Sequence, residues 1–391
     1  MIIRYIKKED QEEFCKTSSA AFIWEMSDDD LKDYPEEQVL AAFCDDNKTI
    51  MAQIEVLPFK NIFCGKHLLS SGIGGVASRP EYRRQGAVRK LFLEYFDQAV
   101  AEGQVLSGLY PFSTNYYRQF GYEPVTKCIS VLAPFSELAK IPRNCNAELF
   151  EGSRKQLNKL LGIYNAYAEN YNLMFQRTTD KYFSKEPYKK NLYTYMWNDG
   201  KGKARSYATF SISRPESTLT VNEIIFTDKE SLLGILGFLR VYDGNIEKIS
   251  FSKLTPSSQV LSIIDEYSKF KVTMGRGAAM RIINVEEILK ANAYPEEQGR
   301  FSLKINDTQI KQNNHIFEVE YNKGDFSIKK RKSGAFDLCL TPTAASRLLL
   351  GGEGLTADMI GYINGAEINK KDISGFLKAF PARFTDMYDG F

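Results

Sequence analysis

Histidine is almost missing from this chain. Only His67 and His315 occur in 391 residues, so neither a histidine-dependent catalytic triad nor a histidine-rich metal site is expected. Cysteine is sparse and unpatterned. Cys15, Cys44, Cys64, Cys128, Cys145 and Cys339 show no paired metal spacing, and free thiols in a reducing compartment are the simplest reading. An excess of charge is absent too. The 51 basic and 49 acidic residues leave +2, which gives no reason to expect nucleic acid or a membrane surface as partner. No 18-residue apolar run and no secretory leader pattern is found, so a soluble cytoplasmic protein is expected.

What is present is ample apolar content, 43%, over a length that suits two or three domains rather than one core. The stretch Gly72 to Gly103 organises the rest. Its glycine-rich start ends in Val76 and Ala77, a basic turn runs from Arg79 to Gln85, and Gly86 opens a helical run. Val88, Leu91, Phe92, Tyr95, Phe96 and Ala99 recur at helical spacing before Gly103 stops it. This predicts a strand, a loop and a helix N-terminus whose main-chain donors, with Arg83, Arg84 and Arg89, could hold a pyrophosphate. A basic loop that merely caps a surface helix fits the same spacing. Neither the Walker A pattern nor the dinucleotide fingerprint is matched.

Arg83-Arg84-Gln85-Gly86-Ala87-Val88 resembles the acetyl-CoA pyrophosphate loop of GNAT N-acyltransferases: Gln or Arg, two residues, Gly, one residue, then Gly or Ala. Val88 departs from the last position, as in the Eis-like branch of that superfamily. The resemblance implies acetyl-CoA held by Arg83, Arg84, Gln85, Gly86 and Ala87. It also implies two parallel strands that splay into a V, with Val76 offering main-chain contacts on one side and Leu109 on the other. Pro111, which cannot donate to a ladder, agrees with strand Val105 to Tyr110 ending there.

Ser113 to Tyr122 resembles the Tyr-x-x-Phe-Gly-Tyr segment of Eis-like enzymes, which puts Tyr117 at the family's general acid, with Tyr116 as the neighbouring alternative. A phenol near its ordinary pKa is protonated at neutral pH and can donate to a departing thiolate. A packing aromatic would fit equally in a chain with 22 tyrosines and 26 phenylalanines. Further expectations are local. Thr49 to Leu57 and Lys66 to Ile73 read as strands joined by Pro58 to Gly65. Asp28-Asp29-Asp30 could attract a cationic amine or simply start a solvated helix. Glu123 and Val125 are expected to begin a strand running toward Val131, closing the first unit.

The resemblance extends along the chain: a GNAT catalytic domain over 1–145, a second GNAT-like domain over 146–285 and a sterol-carrier-like domain over 286–391. The fold class is therefore mixed α/β and α+β. In the second unit Leu219 to Phe226 alternates like a strand, and Thr227 with Glu230 is a capping-box candidate. That unit lacks a basic glycine loop, so no second CoA is expected there. Met280 to Val285 is similar to the strand that closes it in Eis-like proteins. The chain ends aromatic, with Phe384, Tyr388 and Phe391, which suggests a docked tail rather than a frayed one. In Eis-like enzymes the terminal carboxylate reaches the catalytic site, so the resemblance gives that role to Phe391. It implies an acetyl-CoA-dependent N-acetyltransferase of a cationic amine, acting without metal, as a homo-oligomer that is hexameric in family members. A non-enzymatic acyl-CoA or lipid binder is the competing expectation.

Overall fold

The computed structural model describes residues 1–22, 36–370 and 372–390. Asp28, Asp29, Asp30 and Phe391 lie outside the described residues. The chain divides into two compact units. One holds 1–125, 278–383 and 389–391, the other 126–277 and 384–388.

The first unit is built on a seven-stranded sheet. In chain order its strands are β1 (Ile2–Tyr5), β2 (Val39–Phe43), β3 (Ile50–Phe63), β4 (Lys66–Ser78), β5 (Leu106–Leu109), β6 (Glu123–Pro124) and β7 (Ala279–Ile282). Across the sheet the order is β1-β2-β3-β4-β5-β7-β6, antiparallel except for β4 and β5. Helix α1 (Gln11–Phe22) makes its contacts with β3 and β4. Helix α2 (Ala87–Ala101) buries Leu91, Phe92, Tyr95, Phe96 and Ala99 against Leu40, Ala52, Ile54 and Ile73 of the sheet. These are the residues whose 3.6-residue spacing is visible in the sequence.

Two expectations about these strands are corrected. Strand β3 does not stop at Leu57 but runs through Pro58 to Phe63. Pairing with β2 ends at Glu55, so Pro58 sits where no neighbour needs its missing N–H. Cys64 and Gly65, both at positive φ, then turn the chain tightly into β4. The second correction concerns the closing strands. Glu123–Pro124 is as far as the first sheet goes, and Lys127–Pro134 belongs to the sheet of the other unit. In exchange, Ala279–Ile282 does not close the second sheet. It inserts between β5 and β6, pairing Ala279 with both Leu109 and Pro124.

The first unit also contains the C-terminal α+β layer. Its five strands run Asp325–Arg331, Ile316–Asn322, Gly299–Ile305, Leu338–Leu340 and Ala366–Ile368 across the sheet. Thr341 caps helix Pro342–Leu350 through its hydroxyl. A buried ion pair ties this layer to β7. The Arg281 Nη2 donates to Asp307 Oδ2 at 2.7 Å, with both side chains at or below 1% exposure.

The other unit has its own seven-stranded sheet, again with one parallel pair, Thr218–Phe226 beside Lys248–Leu254, bridged by helix Lys229–Leu239. The cap of that helix is Asp228 with Ser231, not Thr227 with Glu230. The Asp228 carboxylate accepts from the Ser231 N–H at 2.9 Å, so this helix N-terminus carries an acidic side chain of its own.

Residues 384–388 dock on this unit. The Asn172 N–H donates to the Phe384 carbonyl at 2.9 Å, and the Asp386 N–H donates to the Asn172 carbonyl at 3.0 Å. Tyr388 packs edge-on against Tyr167. Asp386 is buried, and one of its carboxylate oxygens has no hydrogen-bond partner. Burial pushes its pKa up to about 7, against the opposing effects of the Met387 N–H and Lys253. A carboxyl whose folded pKa is raised stabilises the fold while protonated. That contribution is complete below its unfolded value and is lost as pH rises through about 7. Stability should therefore fall by roughly 1.4 kcal/mol per pH unit over that window. Asp386→Asn should flatten the profile in urea titrations at pH 5 to 8. Parallel profiles for parent and variant would remove Asp386 from this role.

Candidate active site

Strands β4 and β5 pair only over Ser70–Gly72 and Leu106–Gly108. Beyond Gly72, β4 continues to Ser78 while β5 ends at Leu109, so the β5-facing main chain of residues 73–78 has no strand partner. The register of β4 against β3 slips between Gln53 and Glu55, where Gly75 adopts φ +52°. The slip is a bulge that bends β4 away from its neighbour. The open V implied by the resemblance is thus formed by loss of pairing plus a bulge.

Gly86 stands at the N-cap of α2 with φ +80°, a conformation glycine takes without strain. Nothing lies within 4 Å of where its Cβ would point. The N–H groups of Ala87, Val88 and Arg89 have no acceptor among the described residues, so the helix presents open donors and the positive end of its dipole. A cavity of about 810 Å³ lies before this terminus. Val76, Arg83, Arg84, Gly86, Ala87 and Arg89 all line it. The empty cradle at Gly86, the free helix donors and three guanidinium groups fit a pyrophosphate, and the unpaired edge of β4 fits an amide chain leading from it.

Three residues singled out from sequence are placed differently from these. Gln85 does not line the cavity; its amide donates to the Glu81 carbonyl at 3.1 Å. Leu109 is buried and pairs with Ala279. Tyr117 is 4% exposed and lies behind Tyr116, which lines the cavity wall. The two rings meet edge to face at 5.2 Å. Burial raises the Tyr117 phenol well above its ordinary value, and no hydrogen bond offsets the shift. Tyr116 is raised by burial as well. Both phenols keep their protons at neutral pH.

These tyrosines ride on α3 (Thr114–Arg118), a short helix held from several sides. The Ser113 hydroxyl caps it by accepting the Tyr116 N–H. Arg118 grips Glu123 of β6 with two bonds of 2.6 and 2.7 Å. Gly121, at φ +78°, leaves room for the Arg281 guanidinium, and the Gln309 amide donates to the Gln119 carbonyl at 2.9 Å. Phe22, Tyr82, Phe112, Gln119 and Phe120 also line the cavity and were not read from sequence as site residues. Gln119 and Phe120 lie within the Tyr-x-x-Phe-Gly-Tyr segment, Phe112 just before it and Tyr82 within the basic turn Arg79 to Gln85, and those stretches were the available signal.

The description "Acetyltransferase (GNAT) domain" matches residues 2–125 and, through a second model, residues 173–282. "Sterol carrier protein domain" matches residues 285–383. Among solved structures, a GCN5-related N-acetyltransferase from Anabaena variabilis is similar at 19% identity and a TM-score of 0.84, with all of both chains covered. A protein of unknown function from Enterococcus faecalis, described as a probable N-acyltransferase, matches at 18% identity and 0.81, covering 100% of this chain and 99% of that one. Eis1 from Mycobacterium abscessus matches at 15% and 0.81, with full coverage of both. No curated protein sequence matches this chain. The chain has the GNAT-superfamily acetyltransferase fold in three parts, two GNAT-like and one sterol-carrier-like.

Proposed function

We propose that this chain is an acetyl-CoA-dependent N-acetyltransferase of the Eis-like type, acting on a cationic amine such as an aminoglycoside, a polyamine or a lysine side chain. The observation that carries the reading is the cavity in which the Gly86 helix terminus and the unpaired edge of β4 meet. On this reading Arg83, Arg84 and the α2 donors hold the pyrophosphate, and Val76 main-chain donors polarise the thioester carbonyl. The amine lone pair attacks the carbonyl carbon, the carbon–sulfur bond breaks, and the sulfur takes a proton from a tyrosine. The ammonium proton leaves to the Phe391 carboxylate or to water. Assembly as a homo-oligomer belongs to the same proposal. The test is amine-dependent thiol release from acetyl-CoA across a panel of amines, with products weighed by mass spectrometry. Tight CoA binding with no amine-dependent release from any of them would favour the binder.

The tyrosine assignment has its own test. Tyr117→Phe keeps the ring and removes only the hydroxyl. Turnover should fall about ten-fold or more while acetyl-CoA affinity holds. Tyr116→Phe should cost less. The reverse ranking would move the acid to Tyr116, whose ring is the one on the cavity wall. For the terminus, one glycine appended after Phe391 shifts the carboxylate and leaves the ring. Amine turnover should drop with acetyl-CoA affinity little changed, and full activity would refute the carboxylate role.

A further inference from the structure

A cavity of about 670 Å³ lies wholly within the other unit. Its lining comes from three stretches of chain, 188–193, 212–215 and 242–246. It is no relic of a second cofactor site. The cavity sits where strand Thr218–Phe226 begins, whereas helix Lys229–Leu239 opens beyond that strand's far end. At about 3.3 Å per residue the two ends are roughly 26 Å apart.

The walls are braced by hydrogen bonds. The Asn191 amide donates to the Ile212 carbonyl at 2.8 Å, and its oxygen accepts the Ile212 N–H at 3.4 Å. The Arg214 carbonyl accepts the Ser217 N–H at 3.1 Å, closing a turn in which Pro215 presets the backbone. The Ser217 carbonyl in turn accepts the N–H groups of Glu247 and Lys248, each at 3.0 Å. A pocket held in this way is formed before any ligand arrives.

Its chemistry is one-sided. Phe210 contacts both Tyr193 and Tyr242, with ring centres 5.8 and 5.7 Å away, and Tyr188 meets Tyr193 edge to face at 5.7 Å. Tyr188 nevertheless stays 72% exposed. None of the three lining phenols hydrogen-bonds through its hydroxyl to a described residue. Burial pushes the Tyr242 phenol up to about 12, so at neutral pH it keeps a proton to donate. Among the described residues Arg214 is the one charged side chain of the lining, and it forms no ion pair.

We propose that this pocket binds a planar aromatic anion, a flat ring bearing a carboxylate or a phosphate. The tyrosine rings pack against the ring, and the Arg214 fork and the phenol hydroxyls donate to the anionic group. Other ligand classes fit worse. An ammonium would meet the Arg214 charge. A neutral sugar would leave that guanidinium without a counter-charge, and a lipid tail would strand the phenol hydroxyls. The site shares no residue with the Gly86 cavity, so it stands whether or not the acetyltransferase reading does.

Calorimetry on the full-length protein tests this with AMP and 4-hydroxybenzoate as anionic probes and adenosine and phenol as their neutral counterparts. At least one anionic probe should bind with a Kd below about 1 mM, and about 10-fold or more tighter than its counterpart. Which of the two binds separates a nucleotide from an aromatic acid. Arg214→Met should weaken that probe by about 10-fold or more. Tyr188→Ala, at an exposed position, should weaken it about three-fold or more. The Gly86 cavity is unaltered in both variants, so these losses report this pocket. Anionic probes that bind no tighter than their neutral counterparts would overturn the assignment, as would an affinity that Arg214→Met leaves unchanged. So would the absence of binding by either probe at about 10 mM, some ten times the expected Kd.

Discussion

Gly86→Asp is expected to lower acetyl-CoA affinity by at least about 100-fold while the protein stays folded. A Cβ at this position would meet no protein atom within 4 Å, because the space beside Gly86 is open. It would instead project a negative charge into the place the pyrophosphate is assigned. Two like charges about 4 Å apart near a protein surface repel by roughly 4 kcal/mol, more than enough for the loss. Gly86→Asn separates charge from bulk. Asparagine tolerates the left-handed conformation and is neutral, so its loss should be clearly smaller. Calorimetric titration with acetyl-CoA reads both. Equal affinities in the parent and the Asp variant would sink the pyrophosphate assignment, and equal losses in the Asp and Asn variants would replace repulsion with simple obstruction.

Arg281→Met should destabilise the first unit by roughly 3–5 kcal/mol, the usual cost of stranding one member of a buried ion pair. Asp307 would keep the N–H groups of Gln309 and Ile310 and the Asn313 amide, all at 3.0–3.1 Å, but would lose its only charged partner among the described residues. Arg281→Met with Asp307→Leu should lose less than the single change, since no charge is then left buried. Urea unfolding followed by tyrosine fluorescence measures all three proteins. The two units need not unfold together, so the transition of the first unit is the one to compare. Arg281 also fills the space beside Gly121, so turnover should fall in the single variant along with stability. A stability change below about 1 kcal/mol would show the pair to be dispensable.

The legible parts of the site were those that local chemistry encodes. Gly86 was visible because a helix that opens on a basic glycine turn needs both a left-handed residue and unpaired donors there. Helix α2 was visible through its apolar period. Tyr116 and Tyr117 were both within the recognised segment, but which of them faces the cavity depends on Phe92, Phe112 and Tyr122 closing around Tyr117. Phe112 and Tyr122 bracket the tyrosines locally, but Phe92 comes from α2, a separate stretch of chain. Gln85 shows the same limit on a smaller scale, since the Glu81 carbonyl draws its amide aside.

The three-part α+β composition was read through the family resemblance. By itself the sequence determined the basic glycine turn at Gly86, the helix behind it and the segment carrying the tyrosines. Each depends on backbone conformation or side-chain period within about thirty residues, and those are written locally. Only the tertiary structure decided which strands share a sheet. Lys127–Pro134 and Ala279–Ile282 both read as short apolar strands, and a strand's period of two says which face is buried but not which neighbour it pairs with. Ala279–Ile282 enters the first sheet because β5 and β6 leave a gap that its four buried residues fill, and because Arg281 there meets Asp307 from a distant part of the chain. The tyrosine-lined pocket around Arg214 was decided in the same way, by three stretches of chain that meet only once the other unit's sheet is paired.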